Sequence, residues 1–386
     1  MEFVIDYGHT SFNKFGEELC GDNVAVAKKG DYTTLVLADG LGSGVRANIL
    51  STLTSKILTT MVSNDIPIEE CVETIIETLP VLKNRGVAYS TFSIIHVNNL
   101  GKGYLFEFDN PRYILMRNGK YHELESKILS IYDKKIFVTE LSLIENDFIV
   151  LMSDGVPFAG TGITLNYGWQ RDDIIMYLEE NINTSMSARC LANILASASE
   201  DLYLHEPYDD TTVAAIKYKR EVVVNVLVGP PAKKEDESKY LLDFFGRDGY
   251  KIVCGGTTSK IVANHLGETL SMQTESKNKD VPPIGFIKGV DLVTEGVLTL
   301  GKVLELAKVY IKTDSNLPKS FKNEDGAELL ADYLLEKGTT IHFLVGQAIN
   351  EAYKSLQLDG MLKFKLVEEI ASILKSIGKS VTIKYY

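Results

Sequence analysis

Two acidic residues in this chain each follow a short apolar run and precede a glycine. Residues 35–46 read Leu-Val-Leu-Ala-Asp-Gly-Leu-Gly-Ser-Gly-Val-Arg, with Asp39 at the end of the apolar part. Residues 148–155 read Phe-Ile-Val-Leu-Met-Ser-Asp-Gly, with Asp154 in the equivalent place. A buried strand that ends in Asp-Gly holds a carboxylate at a sheet edge, where glycine lets the backbone approach an ion closely. The two runs therefore predict a shared metal centre.

Two further acids extend this candidate site. Asp22 stands in Gly21-Asp22-Asn23, and Asp209 opens an Asp-Asp-Thr-Thr run that leads into an apolar segment. Carboxylates, together with a glycine carbonyl such as that of Gly40, are hard oxygen ligands suited to Mg²⁺ or Mn²⁺. Two such ions can polarise a phosphoryl group and share an activated water. The alternative is that each Asp-Gly pair is an ordinary turn, and only the combination favours the metal site.

The elements that must position these acids can be read from the apolar periodicity. Alternating and continuous apolar runs predict strands at 2–6, 22–28, 32–38, 89–97, 103–109, 112–117, 135–140, 147–153 and 211–216. Helical spacing predicts helices at 45–62, 67–82, 170–181 and 186–202. Two packed sheets with the helices outside would bury all of these faces. We expect this first domain to span residues 1–220.

Residues 221–386 follow a different pattern, because strands alternate with helices. Strands are predicted at 222–228, 250–254, 340–345 and 380–385, and helices at 239–245, 257–266, 297–311, 326–337 and 362–377. Such alternation indicates an α/β domain with a mainly parallel sheet. With 386 residues, the chain is long enough for two domains of this size.

A second candidate site lies in this C-terminal domain, between a predicted strand and a predicted helix. The residues are Gly255, Gly256, Thr257, Thr258 and Ser259, followed by Lys260. Free backbone N–H groups at the start of a helix, with hydroxyls beside them, would face an anion such as phosphate. The alternative is an ordinary glycine turn with a Thr or Ser cap. This run lacks the spacing of a Walker motif.

Charge and cysteine content narrow the class of protein. The net charge of -12 disfavours nucleic acid or anionic membrane as a partner. The first residues show no signal peptide, and no apolar run has the length of a membrane span. The four cysteines are scattered without paired spacing, which predicts reduced thiols in a cytoplasmic protein.

The motifs, taken in order, resemble those of the metal-dependent type 2C protein phosphatases, and are most similar to the bacterial stage II sporulation protein E branch. The resemblance covers about residues 1–220 and rests on four runs: Gly21-Asp22, Ala38-Asp39-Gly40-Leu41-Gly42-Ser43-Gly44, Leu151-Met152-Ser153-Asp154-Gly155-Val156 and Asp209-Asp210-Thr211-Thr212-Val213. It implies an α/β/β/α sandwich and hydrolysis of phosphoserine or phosphothreonine with two Mn²⁺ or Mg²⁺ ions.

The resemblance also implies roles for individual residues. Asp39 would bridge both ions, and the Gly40 carbonyl would bind one of them. Asp154 and Asp209 would bind the other, and Asp22 would ligate directly or through water. A water bound between the ions would attack phosphorus. The helices at 45–62 and 67–82 match the family's pair that transmits regulation, or are a plain amphipathic hairpin.

One departure concerns the phosphate group of the substrate. Eukaryotic type 2C enzymes carry a phosphate-binding arginine near the first motif, whereas the nearest basic residue upstream of Asp22 is Lys14. The sporulation branch shares this loss, so it does not argue against activity, but phosphate recognition stays unassigned.

The leading hypothesis is a Mn²⁺- or Mg²⁺-dependent serine/threonine phosphatase that acts on a phosphorylated regulatory protein and is regulated by its C-terminal domain, which could bind a small phosphorylated ligand. One alternative is a non-catalytic sensor that retains the phosphatase fold. Another is a C-terminal nucleotide- or phosphometabolite-binding module with the phosphatase as accessory. That module would need catalytic acids near residues 255–260, and the available ones are Glu268, Asp291 and Glu295.

Overall fold

The computed structural model describes residues 2–78, 90–131, 134–273, 281–311, 321, 325–348 and 359–386. The chain forms two compact units that divide between Arg220 and Glu221. In the described ranges, no helix is both long and apolar enough to cross a bilayer.

The N-terminal unit is built on two antiparallel sheets. Its strands are β1 (Phe3–Phe12), β2 (Asp22–Lys29), β3 (Tyr32–Asp39), β4 (Thr91–Asn98), β5 (Lys102–Phe108), β6 (Ile114–Arg117), β7 (Lys120–His122), β8 (Ser126–Ile131), β9 (Lys134–Ser142), β10 (Phe148–Met152) and β11 (Thr211–Arg220). One sheet has the order β1-β11-β10-β6-β7, and the other has the order β2-β3-β4-β5-β9-β8. Its helices are α1 (Gly44–Val62), α2 (Ile68–Thr78), α3 (Gly155–Phe158), α4 (Arg171–Asn181) and α5 (Ala188–Leu202).

Strand β3 shows how the layers are assembled. Leu35 and Leu37 belong to the core between the two sheets, whereas Val36 and Ala38 belong to the core under α1 and α2. Successive side chains of a strand point to opposite faces, so a strand covered on both faces must be apolar throughout. Strand β10 divides in the same way between the inter-sheet core and the core under α4 and α5. The result is the predicted α/β/β/α sandwich.

Differences from the predicted elements fall at short or polar segments. Helix α2 is described to Thr78, so the predicted residues 79–82 lie outside the described part of the chain. Strands β7 and β8 were not predicted. Strand β7 has only three residues, and β8 mixes apolar and polar residues without strict alternation; each lies at the edge of its sheet. The Asn118-Gly119 turn joins β6 to β7 with positive φ at both residues, as a two-residue hairpin requires.

The C-terminal unit has a seven-stranded sheet in the order β14-β15-β16-β13-β12-β17-β18. The strands are β12 (Val223–Val228), β13 (Tyr250–Cys254), β14 (Ser271–Met272), β15 (Gly285–Phe286), β16 (Leu292–Thr294), β17 (Thr340–Val345) and β18 (Ser380–Tyr385). The five strands from β16 to β18 pair in parallel. This confirms the predicted α/β fold. Strand β16 was missed in the sequence because it has three residues.

Helices cover both faces of this sheet. They are α6 (Glu237–Phe245), α7 (Gly256–Leu266), α8 (Val297–Ile311), α9 (Gly326–Ala331) and α10 (Asp359–Ser376), with a π-helical segment, Asp332–Lys337, after α9. Helices α6 and α7 contribute to one core, and α8, α9 and α10 contribute to the core on the other face. The sheet is therefore doubly wound, and its carboxyl edge is the place where ligands bind in such folds.

Candidate active site

The structure brings the four predicted acids of the N-terminal unit to one end of the sandwich. Asp22 and Asp39 are direct partners across β2 and β3. Asp154 follows β10 and Asp209 precedes β11, and these two strands are antiparallel neighbours. Asp39, Asp154 and Asp209 line one cavity of about 270 Å³. The other residues that line it are Lys14, Gly40, Leu41, Gly42, Ser43 and Thr91.

Glycine at position 40 is required by the packing of α1 against β3. A Cβ on Gly40 would lie 2.1 Å from the carbonyl oxygen of Ala47 in α1. That separation is far below a van der Waals contact, so any larger residue would push the helix away from the acid. The N–H of Gly40 also donates to the carbonyl of Gly21, at 3.2 Å, which ties the first two motifs together.

The electrostatics of the site are those of several carboxylates in a confined, partly buried space. Burial raises the pKa of Asp22 to about 7, although the nearby hydroxyls of Ser153 and Thr212 partly oppose this rise. Burial, followed by the charges of Asp22 and Asp154, raises the pKa of Asp39 to about 9. The pKa values of Asp154 and Asp209 are also raised, in each case mainly by burial. Each of these groups would be stabilised in its ionised form by a cation.

The donor set fits a divalent cation. Both carboxylate oxygens of Asp22 are buried and have no hydrogen-bond partner of normal geometry. A buried carboxylate without partners is costly, and hard oxygen ligands of this kind suit Mg²⁺ or Mn²⁺. No group of three or more His, Cys, Asp or Glu side chains within the described ranges has the arrangement of a preformed metal centre.

Two residues near the acids were not assigned a role from the sequence. Asp210 is buried, and its Oδ1 accepts the backbone N–H of Lys14 at 3.0 Å. The loop that carries Lys14 thereby reaches the cavity, and the positive charge of Lys14 partly offsets the burial that raises the pKa of Asp209. The only sequence signal for Lys14 was that no other Lys or Arg occurs before Lys28.

The predicted anion site of the C-terminal unit lies at the start of α7, directly after β13. Gly256 and Thr257 are exposed there, and a Cβ on Gly256 would meet no atom within 4 Å. The prediction that Ser259 offers its hydroxyl to an anion is wrong. That hydroxyl is buried and donates to the carbonyl of Gly255 at 2.8 Å, inside the first turn of the helix.

The three acids that could serve as catalytic groups in the C-terminal unit each have a partner within the fold. The Glu295 carboxylate accepts the N–H of Leu298 at the start of α8. Asp291 accepts the N–H of Lys251 at 2.7 Å, and Glu268 lies 3.8 Å from the Lys288 ammonium. These contacts explain the three acids without an enzymatic role.

A sandwich of this kind with an acid cluster at one end is the arrangement of the PP2C-type phosphatases. Comparison with known proteins agrees with this class. Residues 29–219 match the family model of stage II sporulation protein E (SpoIIE). Residues 29–219 therefore form a domain of the SpoIIE family of PP2C-type phosphatases. A search of curated proteins found no match.

Solved structures with related folds include the PP2C phosphatase domain of SpoIIE from Bacillus subtilis with a fragment of its regulatory domain. That structure is 18% identical, with a TM-score of 0.48, and the match covers 57% of this chain and 63% of that one. The RsbU and RsbW domains of a Mycobacterium tuberculosis protein are 17% identical, with coverage of 56% and 61% and a TM-score of 0.46. RsbX in complex with magnesium is 21% identical, with coverage of 56% and 96% and a TM-score of 0.39. This chain thus spans less than two thirds of the first two structures.

Proposed function

We propose that this protein is a Mn²⁺- or Mg²⁺-dependent phosphatase that hydrolyses phosphoserine or phosphothreonine in a regulatory protein. The observation that carries the proposal is the convergence of three carboxylates, those of Asp39, Asp154 and Asp209, on one cavity. The buried Asp22 is paired with Asp39 across β2 and β3, and neither of its oxygens has a hydrogen-bond partner of normal geometry. The SpoIIE family match over residues 29–219 supports the reaction class. The resemblance of the motifs to the stage II sporulation protein E branch motivates a phosphorylated regulatory protein as substrate, at the level of analogy.

The residues of the site would have the following roles. Asp22, Asp39, Asp154, Asp209 and the Gly40 carbonyl would hold the ions. When bound, two such ions polarise a phosphoryl group and lower the pKa of a water molecule. The tight contact of Gly40 with α1 would keep the Asp39 carboxylate in place. The cavity of about 270 Å³ is small, which suits a single phosphorylated side chain better than a large ligand.

The test is hydrolysis of p-nitrophenyl phosphate and of phosphoserine, phosphothreonine and phosphotyrosine peptides, in Mn²⁺, in Mg²⁺ and in EDTA. We expect metal-dependent turnover that Asp39→Asn reduces by at least about a hundredfold, because a carboxylate that would hold the ions loses its charge. Asp31→Asn is the matched control, since Asp31 is exposed at the other end of the β2–β3 hairpin.

Three outcomes separate the hypotheses. Equal activity in EDTA and Mn²⁺, or full activity of Asp39→Asn, would refute the metal-dependent mechanism. Calorimetric Mn²⁺ binding that Asp39→Asn abolishes, without turnover of any substrate, would instead favour the non-catalytic sensor. Preference for the phosphotyrosine peptide would overturn the substrate class.

We also propose that the C-terminal unit regulates this activity by binding an anion at the start of α7. Helix α7 has no side-chain cap, whereas the neighbouring α8 is capped by Glu295. The Thr258 hydroxyl supports a ligand here, because it is buried and lacks a hydrogen-bond partner. It lies 3.2 Å from the position that a Cβ on Gly255 would take, beside the uncapped N–H groups.

Calorimetric titration of the full chain with inorganic phosphate in EDTA tests this second site. We expect binding that Gly256→Val abolishes, because the added side chain would fill the open space above the helix N-terminus. Lys127→Met, at an exposed position of the edge strand β8 in the N-terminal unit, serves as the control and should retain this binding. Absence of binding, or equal binding by Gly256→Val, would show that these residues form only a turn.

A further inference from the structure

Lys14 is the one cationic side chain among the described residues that line the acidic cavity. Its neighbours there include Asp39, Asp154 and Asp209, together with backbone and hydroxyl groups of residues 40–43 and Thr91. A phosphate monoester carries close to two negative charges at neutral pH. Among the charged side chains that line the cavity, Lys14 is therefore the one that would attract this dianion.

The loop that carries Lys14 is attached to the motifs of the acid cluster at three points. The N–H of Lys14 donates to Asp210, next to Asp209, at 3.0 Å. The N–H of Phe15 donates to the carbonyl of Pro207 at 2.7 Å. Farther along the loop, Glu17 accepts the hydroxyl of Ser43, within the glycine-rich motif, at 3.1 Å.

This anchoring matters for the energetics of binding. Lys14 itself is half-buried, and its backbone is held by the Asp210 carboxylate. Only the side-chain torsions of Lys14 would have to be ordered when a ligand binds, so less of the interaction energy is lost than for a lysine on a free loop.

We propose that the Lys14 ammonium binds the phosphoryl oxygens of the substrate and so supplies the phosphate recognition that the first motif lacks. A lysine ammonium that contacts a phosphate makes a charge-assisted hydrogen bond, as a compact positive charge with three N–H donors. The proposal rests on the phosphatase function proposed above. Lys14 would contact the substrate and transfer no proton.

The first measurement is the steady-state kinetics of Lys14→Met, with Lys14→Arg as the conservative variant. Hydrogen bonds to charged groups contribute enough that Lys14→Met should raise the KM for p-nitrophenyl phosphate and the inhibition constant of inorganic phosphate about tenfold to a hundredfold. Lys14→Arg should retain most of the affinity. Lys127→Met, at an exposed position of the edge strand β8, removes the same charge and should behave like the wild type.

The second measurement does not depend on turnover. Binding of inorganic phosphate in excess Mg²⁺ is followed by calorimetry in the Gly256→Val background, which removes the candidate C-terminal site. We expect Lys14→Met to weaken binding by the same factor as in the inhibition assay, with Mg²⁺ affinity and melting temperature unchanged.

The two measurements separate the inference from the proposed function. If the wild type hydrolyses nothing but Lys14→Met weakens phosphate binding, the phosphatase function fails and the role of Lys14 stands. If the wild type is active and Lys14→Met leaves KM, phosphate inhibition and phosphate binding unchanged, the inference is wrong. A loss of Mg²⁺ affinity equal to the loss of phosphate affinity would also refute it, because Lys14 would then act only through the ion site.

Discussion

Asp22 should destabilise the metal-free protein at alkaline pH, and Asp22→Asn should remove that effect. The carboxylate is buried, and neither oxygen has a hydrogen-bond partner of normal geometry. Burial raises its pKa to about 7 from the ordinary value of 3.8. The folded state therefore binds a proton more tightly than the unfolded chain does. Between these two pKa values, stability falls as the pH rises, because the unfolded chain has already lost the proton that the folded state retains.

The size of the effect follows from the two pKa values. At pH 5 the folded Asp22 is still protonated, and at pH 8 it is ionised at full cost. Linkage then predicts that the wild type loses about 3 kcal/mol relative to Asp22→Asn between pH 5 and pH 8. The buried amide of the variant has a cost of its own, but that cost is the same at both pH values and cancels in the comparison.

Trp169 provides the assay. It is the only tryptophan of the chain and is buried in the core under α4 and α5, so its fluorescence reports the unfolding of the N-terminal unit alone. Melting curves of the wild type and of Asp22→Asn are recorded in EDTA at pH 5 and pH 8. For a unit of this size, 1 kcal/mol corresponds to about 2–4 °C, so the difference between the two proteins should change by roughly 6–12 °C.

Addition of excess Mg²⁺ at pH 8 should raise the melting temperature of the wild type more than that of Asp22→Asn. The ion binds the folded state, and the wild type has the complete donor set, so it should gain more stability than the variant. A difference between wild type and Asp22→Asn that is the same at pH 5 and pH 8 in EDTA would refute the reasoning. It would mean that Asp22 is solvated or paired in the folded protein.

Three other predictions concern His9 in β1 and two residues of the acid site. Burial, then the charge of Arg189, lowers the pKa of half-buried His9 to about 4, so stability should fall by up to about 3 kcal/mol from pH 6.5 to pH 4. In denaturant titrations, His9→Gln should lose less stability than the wild type between pH 6.5 and pH 4. An equal loss in the two proteins would contradict this. Asp210→Ala should raise the KM by freeing the Lys14 loop while keeping Mn²⁺ affinity measurable by calorimetry; loss of Mn²⁺ binding would make Asp210 a ligand instead. Gly40→Ala should abolish activity and lower the melting temperature because of its 2.1 Å approach to Ala47, whereas Gly301→Ala in α8, with open space around it, should be tolerated; tolerance at both positions would disprove the steric argument.

Much of the fold could be predicted because its signals are local. The apolar runs 35–38 and 148–152 are continuous since β3 and β10 are covered on both faces, and a run of that kind needs no knowledge of its partners. The helix at 45–62 and the Asn118-Gly119 turn are likewise properties of a few neighbouring residues. Strand β16 escaped prediction because three residues carry too little periodicity.

By itself, the sequence determined which residue types could do chemistry: acids at strand ends beside glycine, in an order that resembles one phosphatase family. The tertiary structure decided which of them meet. The β2–β3 register sets Asp22 opposite Asp39, and the β1–β11 pairing joins residues about 200 positions apart. The carboxylate of Asp210, just before β11, accepts the backbone N–H of Lys14. No local sequence pattern in an irregular loop predicts such a contact. In the C-terminal unit, the structure shows that the Ser259 hydroxyl donates to the Gly255 carbonyl, because a hydroxyl in a helix readily bonds to the preceding turn.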